Sequence, residues 1–448
     1  MGKLFGTDGV RGIANTELTN ELAYKIGRAG AYVLSKEFGE RPVIIVGKDT
    51  RLSGDMLEAS LISGIMAAGG NVMLAGVVPT PAIAYLVRKY KIQAGVVISA
   101  SHNPMEYNGI KFFNHEGFKL PDDTENEIEA LIFDDSSLPV NIGQDVGKIV
   151  KCDSAKHDYI DYCKSTVDCD FKTLKIAIDC ANGATSNIAD IIFSELGAQV
   201  FSMSNLPNGT NINDNCGSTH MKNVCEFTKA SGADVGIAFD GDGDRVLFCD
   251  EFGNEIDGDQ VMAVMGNYMK NNGTLKKDTI VGTVMSNLGL TIFGENHGIN
   301  VVQTSVGDRY VLERMLKDGY NIGGEQSGHI IVLDYNTTGD GIVTALQLLR
   351  ILSNTNQKLS DLSGVIKKLP QVLVNAKVKN QNKDLVLKDD EISNLVETIN
   401  IALFKKGRVL VRASGTEPLF RVMLEGEDID EITEFANKIA DLIKGKYA

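Results

Sequence analysis

Three carboxylates alternate with glycines in Asp240-Gly241-Asp242-Gly243-Asp244-Arg245, directly after an apolar run at 233–239. Alternation turns every second side chain to one side, and the glycines permit the bends that make the carboxylates converge. Two carboxylates about 4 Å apart repel by about 4 kcal/mol at an effective dielectric of 20, so three together demand a cation. Ligands that are all oxygen select Mg²⁺ or Ca²⁺ over zinc. An EF-hand is the competing reading, with Asp240, Asp242 and Asp244 at loop positions 1, 3 and 5 and Glu251 at 12. It fails at Arg245, which stands where the sharp turn requires glycine, and the preceding run reads as a buried strand rather than an entering helix. Arg245 is taken as a supporting residue of the acidic loop.

A second constellation is AGVVISASHNP, Ala94 to Pro104. Its first half reads as a buried parallel strand ended by turn chemistry. In open α/β sheets, ligands collect beyond the carboxyl ends of such strands. Ser101 beside His102 at that end is a candidate nucleophile; a capping turn closed by Pro104 is the plainer alternative. Lys111, in NGIKFF just beyond, is a candidate proton-transfer group, with a strand-capping lysine as the alternative. Arg11, in the turn FGTDGVRG, is an equally open catalytic candidate. In GGEQSGH, Gly323 to His329, Glu325 and Ser327 suit sugar hydroxyls, since a carboxylate accepts and a serine both donates and accepts. His329 is a further candidate acid or base. In RASGTEPLFR, Arg412 to Arg421, the turn Ser414-Gly415-Thr416 can offer successive N–H groups to an anion. Arg412 and Arg421 flank it and suit bidentate contact with a phosphate.

The elements that must position these loops repeat. Strand, helix, strand, helix, strand leads to a loaded loop three times. The strands are expected at 43–46, 71–74 and 94–99, then at 174–178, 199–201 and 233–239, then at 279–283, 300–304 and 320–322. Right-handed crossovers place the three loops at corresponding sheet edges, and three domains presenting equivalent edges make one shared cleft. The tail differs: QVLVNAKV alternates, RVLVR and LFRVMLE read as a hairpin, and an amphipathic helix closes the chain. The expected fold class is α/β, with three repeated mixed α/β domains at 1–150, 151–254 and 255–368, and a smaller α+β domain at 369–448, around one central cleft.

Composition narrows the partners. The 448 residues carry 59 acidic and 44 basic side chains, a formal net charge of -15. Such a surface repels nucleic acid and anionic membrane, so neither is an expected partner. A phosphorylated small molecule fits only where basic residues are focused in one cleft. The 7 cysteines form no CxxC pair, which points to a reducing cytoplasm. Cys216, His220 and Cys225 make a poor zinc set, being three ligands at irregular spacing. The first residues lack a signal-peptide core, and no run is long enough for a membrane span.

Taken in order, FGTDGVRG, ISASHNP, DGDGDR, GEQSGH and RASGTEP resemble the α-D-phosphohexomutase superfamily over essentially the whole chain. The resemblance implies four domains around a central cleft, with Ser101 a phosphoserine in the active enzyme. It implies Mg²⁺ held by Asp240, Asp242, Asp244 and a phosphoserine oxygen. It places Glu325 and Ser327 on the sugar hydroxyls of a phosphosugar, and Arg412, Ser414, Gly415, Thr416 and Arg421 on its distal phosphate. Gln326 and the short opening favour the branch that acts on glucosamine phosphates, whereas Tyr107-Asn108-Gly109 looks more like the phosphomannomutase/phosphoglucomutase branch. The implied reaction interconverts glucosamine 6-phosphate and glucosamine 1-phosphate through a hexosamine 1,6-bisphosphate. Lys111 and then His329 are the expected proton carriers, with His102 positioning the phosphoserine, and the fourth domain is expected to close over the substrate. A metal-dependent sugar-phosphate phosphohydrolase using the same serine and metal is the reading from another class. Oligomeric state is left open, a homodimer being the candidate considered.

Overall fold

The computed structural model describes residues 4–6, 8–39, 41–404, 406–414 and 418–447. The chain divides into two compact units, Met1–Met285 with Ile299–Val365, and Ser286–Gly298 with Ile366–Ala448.

The first unit contains three sheets on one plan. The first comprises β1 (Val10–Ile13), β2 (Val43–Lys48), β3 (Asn71–Val77), β4 (Ala94–Ile98), β5 (Tyr107–Asn114) and β6 (Ile149–Val150), in the order β1-β5-β4-β2-β3-β6. The second comprises β7 (Lys175–Asp179), β8 (Gln199–Met203), β9 (Val235–Phe239), β10 (Val246–Asp250) and β11 (Glu255–Ile256), in the order β11-β10-β9-β7-β8. The third comprises β12 (Thr279–Thr283), β13 (Asn300–Thr304), β14 (Ile322–Gly324) and β15 (Ile330–Val332), in the order β13-β12-β14-β15. Three strands in each are mutually parallel: β2 lies between β3 and β4, β7 between β8 and β9, and β12 between β13 and β14. Parallel strands covered on both faces need apolar residues at every position rather than at alternate ones. AGVVI, VGIAF and TIVGT are accordingly buried throughout.

The repeat is one strand longer than the pattern of the sequence suggests. Each loaded loop is the turn of a hairpin, and the returning strand, β5, β10 or β15, runs antiparallel to β4, β9 or β14. This corrects two expectations. Lys111 lies in the middle of β5 rather than at a strand cap. Arg11 lies in the edge strand β1, paired with Gly109 of β5, rather than in a turn. The returning strands escape a periodicity reading because they too are buried on both faces, VLFCD at every residue.

The second unit is α+β. β16 (Gln371–Lys377), β17 (Gly407–Ala413) and β18 (Leu419–Gly426) form an antiparallel sheet in the order β16-β18-β17. The helices Asp390–Ala402 and Ile429–Tyr447 supply Ile392, Ile399, Ile432, Ile439 and Ile443 to a core shared with Phe420, Val422 and Leu424 of β18. The helix Leu288–His297 belongs to this unit. Its first N–H is accepted by the fully buried Glu425, which also takes the guanidinium of Arg408. Among the described residues, no helix is long and apolar enough to cross a membrane.

Candidate active site

Ser101 sits in the turn between β4 and β5, 1 % exposed, with φ at 51°. A left-handed backbone costs an ordinary residue roughly 1–2 kcal/mol, so neighbouring groups must hold it. They do so through Arg51, just past β2. Its Nε donates to Asp49 at 2.8 Å. Its Nη2 donates to the carbonyls of Ser101 and Asn103, both at 2.9 Å. Its Nη1 donates to the carbonyls of Pro104 and Tyr107. Asn213 adds a second bond to the Ser101 carbonyl at 2.9 Å. Asp49 also accepts from Ser99 Oγ at 2.6 Å, and that hydroxyl accepts the N–H of Ser101 at 3.0 Å. The turn is fixed from both ends.

So held, Ser101 Oγ donates to Asp240 Oδ2 at 2.5 Å. Asp240, Asp242 and Asp244 are buried, and each offers an oxygen within 4.8 Å of those of the other two. Gly241 is needed because the Ser101 carbonyl would lie 2.6 Å from a Cβ there, and Gly243 has φ at +70°. Asp242 Oδ1 and Asp244 Oδ1 are buried without a hydrogen-bond partner among the described residues. Burial, then the charges of Asp244 and Asp242, push Asp240 well above the usual carboxylate range. Orphaned oxygens and a frustrated acid in one cluster are what a divalent cation would relieve, so the residues present fit a hard metal ion. The EF-hand alternative finds no support: the strand β9 enters the loop, and Glu251 accepts from Ser360 Oγ at 2.7 Å. Asp240, Asp242 and Asp244 are the one such ligand cluster among the described residues, and it does not include Cys216, His220 or Cys225.

Cations surround the triad. Lys111, 2 % exposed, reaches Asp242 at 3.1 Å, Asp8 at 3.0 Å and Asp244 at 3.9 Å. Burial alone would discharge it; Asp242 and Asp8 instead raise its pKa, so it stays an ammonium. Asp8 also holds Arg11 and, at 2.5 Å, Lys119, whose ammonium reaches Asp308 at 2.5 Å. Thr80, the first residue of the helix Thr80–Tyr90, grips the acidic loop twice: its N–H donates to the Asp242 carbonyl at 2.8 Å and its hydroxyl to Oδ2 at 2.6 Å. Arg245 lies 3.9 Å from Asp244.

The two histidines differ. His102 Nδ1 is 3.5 Å from Ser101 Oγ, and burial, then Arg245 and Arg11, bring its pKa down to about 4, leaving a neutral ring. His329 is buried between Asp244 at 3.6 Å and Asp308 at 3.7 Å. Burial opposes its charge, but the bond to Asp244 and the two carboxylates turn the shift upward. In the neutral ring Nε2 accepts the N–H of Gly339 at 3.2 Å, which leaves the proton on Nδ1, the nitrogen facing Asp244.

In the turn between β14 and β15, Glu325 Oε1 accepts the N–H of Gly307 at 3.0 Å, and Ser327 is exposed. Gln326 turns from its neighbours and donates to Asp257 Oδ2 at 3.1 Å. Asp257 caps the helix Gly258–Asn271, accepting from Gln260 N. In the second unit, Arg412 and Arg421 face each other directly across β17 and β18. Like charges in that position repel unless an anion lies between them. Burial, then Arg421, lower the pKa of Arg412. Ser414 is buried beside them, its N–H donating to the Leu419 carbonyl at 2.9 Å. Gly415 and Thr416 lie outside the described residues.

Four family models match the chain in succession: phosphoglucomutase/phosphomannomutase alpha/beta/alpha domain I at residues 2–138, domain II at 157–253, domain III at 257–369 and the C-terminal domain at 373–442. This chain belongs to the phosphoglucomutase/phosphomannomutase family. Phosphoglucosamine mutase of Clostridium acetobutylicum is 57% identical over 447 residues, covering 100% of both chains. Phosphoglucosamine mutase of Acetivibrio thermocellus is 54% identical over 445 residues, covering 99% of each. Among solved structures, a phosphoglucomutase/phosphomannomutase family protein from Burkholderia thailandensis superposes with a TM-score of 0.83 at 24% identity, over 100% of this chain and 99% of that one. The N-acetylphosphoglucosamine mutase of Aspergillus fumigatus, in complex with GlcNAc-6P and magnesium, gives a TM-score of 0.71 at 16% identity, over 99% and 96%.

In this member of the phosphoglucomutase/phosphomannomutase family, several residues that build the site carry no signal strong enough to find by pattern. Arg51 and Asp49 lie in GKDTRLSG, which reads as a polar turn. Thr80 and Asn213 each make two bonds to backbone carbonyls or a carboxylate far away in the chain, and Asp8 pairs with residues more than 100 positions away. Asp8 leaves only a faint trace, as one of two charged residues, with Arg11, in the glycine-rich stretch FGTDGVRG.

Proposed function

We propose that this chain is a phosphoglucosamine mutase, interconverting glucosamine 6-phosphate and glucosamine 1-phosphate through a phosphorylated Ser101 and a hexosamine 1,6-bisphosphate. The observation that carries this reading is the 2.5 Å contact between Ser101 Oγ and Asp240, in a chain alike over its full length to enzymes of that name. Asp240, Asp242, Asp244 and an oxygen of the phosphorylated serine would hold Mg²⁺, which when bound neutralises charge on the transferring group.

The protein's own residues do the rest. Arg51 and Asn213 hold the serine turn so that Oγ is presented in one direction. Lys111, kept charged by Asp8 and Asp242, brings positive charge to the acidic loop, and Arg11 and Arg245 support it. Glu325 and Ser327 take sugar hydroxyls. Arg412, Ser414, Gly415, Thr416 and Arg421 hold the phosphate that is not being transferred. A bisphosphate that turns over presents its other phosphate to the same serine, which one anion site and one hydroxyl grip serve in both orientations. Lys111, as an ammonium, is the candidate to give a proton to the oxygen the phosphoryl group leaves, His329 is the candidate to take the hydroxyl proton, and His102, a neutral ring, positions the serine. Four domains, with boundaries near 150, 254 and 368, are part of this reading, supported by the succession of family-model matches. So is a cytoplasmic setting, in keeping with seven free thiols.

Intact-mass measurement tests it. A fraction of the purified protein should be heavier by one phosphoryl group, and Ser101→Ala should lose both that fraction and the activity. Glucosamine 6-phosphate should be turned over faster than the glucose and mannose 6-phosphates assayed beside it. Release of free phosphate at the rate of substrate loss would replace the mutase with a phosphohydrolase.

A further inference from the structure

Two cysteines meet behind the acidic loop. Cys225 lies on the helix Met221–Ser231, which packs on β9 and β10, and Cys249 lies within β10. The helix and strand share the apolar cluster of Met221, Val224, Ala238 and Leu247, with Cys225 against it. Cys249 is fully buried, and Cys225 is half-buried at the edge of the cluster. Their thiols are in side-chain hydrogen-bonding contact. Thr228, one turn beyond Cys225, also contacts Cys249 Sγ at 3.3 Å.

The two thiols have opposite characters. The bond from Cys249 pulls Cys225 below the usual thiol range, against burial; Lys229 assists, while Glu255 and Asp250 oppose. The same bond, then burial, hold Cys249 far above it. An accessible thiol beside a buried one is the arrangement of an attacking and a resolving cysteine.

We propose that Cys225 and Cys249 are a redox-modification site, a pair that closes reversibly to a disulfide when it meets a peroxide. Cys225 sulfur attacks one peroxide oxygen: an S–O bond forms, the O–O bond breaks, and the departing hydroxide takes a proton to become water. Cys249 sulfur then attacks the sulfenic sulfur: the S–S bond forms, the S–O bond breaks, and the second hydroxide leaves as water with the Cys249 proton. Two thiols lose two electrons and one hydrogen peroxide becomes two waters. Because β10 begins directly after Arg245, the bond ties the helix to the strand that leaves the acidic loop. The site does not depend on the mutase reading.

The test is a thiol count on the full-length protein. Reduced protein is treated with hydrogen peroxide, then denatured, alkylated with N-ethylmaleimide and weighed. The maleimide adducts should fall by two from the seven cysteines present, and dithiothreitol should restore them. Peptide mapping should join the segment carrying Cys225 to the one carrying Cys249. Cys249→Ser should form no disulfide and should instead be labelled by dimedone at Cys225. Retention of all seven thiols under peroxide, a cross-link between other cysteines, or the same two-thiol loss in Cys249→Ser would overturn the proposal. The wild-type cross-link map decides the matter even if either serine variant folds poorly.

Discussion

Arg51 has five N–H groups and all five are used: one on Asp49 and four on the carbonyls of residues 101, 103, 104 and 107. A lysine has three donors and no planar fork, so Arg51→Lys cannot reproduce that set. Its charge and solubility are preserved, and the expected loss is in geometry. A displacement of about 1 Å at a reacting atom costs on the order of 10²-fold in rate, so kcat should fall by about that factor while KM for the sugar phosphate changes little. Steady-state kinetics of the variant, with circular dichroism to show the fold intact, checks it. An unchanged kcat would mean that Ser99 and Asn213 hold the turn without help. The candidate residues of the site stand out in the sequence because alternation and short motifs mark them. The residue that holds them was not, because a clamp on backbone carbonyls selects for reach and donor count and leaves no pattern around itself.

At the scale of elements, the parallel strands and their helices are legible because burial on two faces, or on one helical stripe, writes a period into the chain. The antiparallel returns β5, β10 and β15 are not, since each follows a polar turn and is buried without alternation. Gln326 shows how such an omission changes a reading of function. By sequence it marks the sugar loop for glucosamine; in the structure its amide is spent on Asp257, the cap of the helix Gly258–Asn271. Under the proposed function, an influence of Gln326 on substrate choice would run through the position of Glu325 and Ser327. Gln326→Met removes one hydrogen bond to a charged group, worth roughly 1.5–3 kcal/mol. The variant should lose kcat/KM for glucosamine 6-phosphate by about tenfold without gaining on mannose 6-phosphate. Asp257→Asn, which keeps the cap but weakens the bond, should show the same trend more mildly. A clean switch of preference in Gln326→Met would place the amide on the substrate instead.

Across the first unit, charges of alternating sign run from Asp308 through Lys119, Asp8 and Lys111 to Asp242, joining residues that follow β13, β5 and β9. Beside this row is a cavity of about 310 Å³ lined in part by Lys119, Asp308, Arg309 and Glu125. Burial first, then Asp122, raise the pKa of Glu125 to about 7, with Arg309 and Lys119 opposing. The unfolded chain ionises this group near pH 4.3, so its ionised form disfavours the fold. The cost is absent below about pH 4, grows as pH rises to 7, and is constant above. Glu125→Gln should therefore match wild type in Tm near pH 4, exceed it increasingly up to pH 7, and keep a fixed advantage beyond. Calorimetry at four pH values would show it, and an advantage independent of pH would rule out the titration.

The clamp on the serine turn has one more implication. Since no guanidinium hydrogen of Arg51 is left to greet an incoming dianion, loading the hydroxyl should leave the rigidity of the turn as it was. Amide exchange over residues 99–107 should be equally slow in the phosphorylated and unphosphorylated proteins, the backbone being tensioned before cargo arrives.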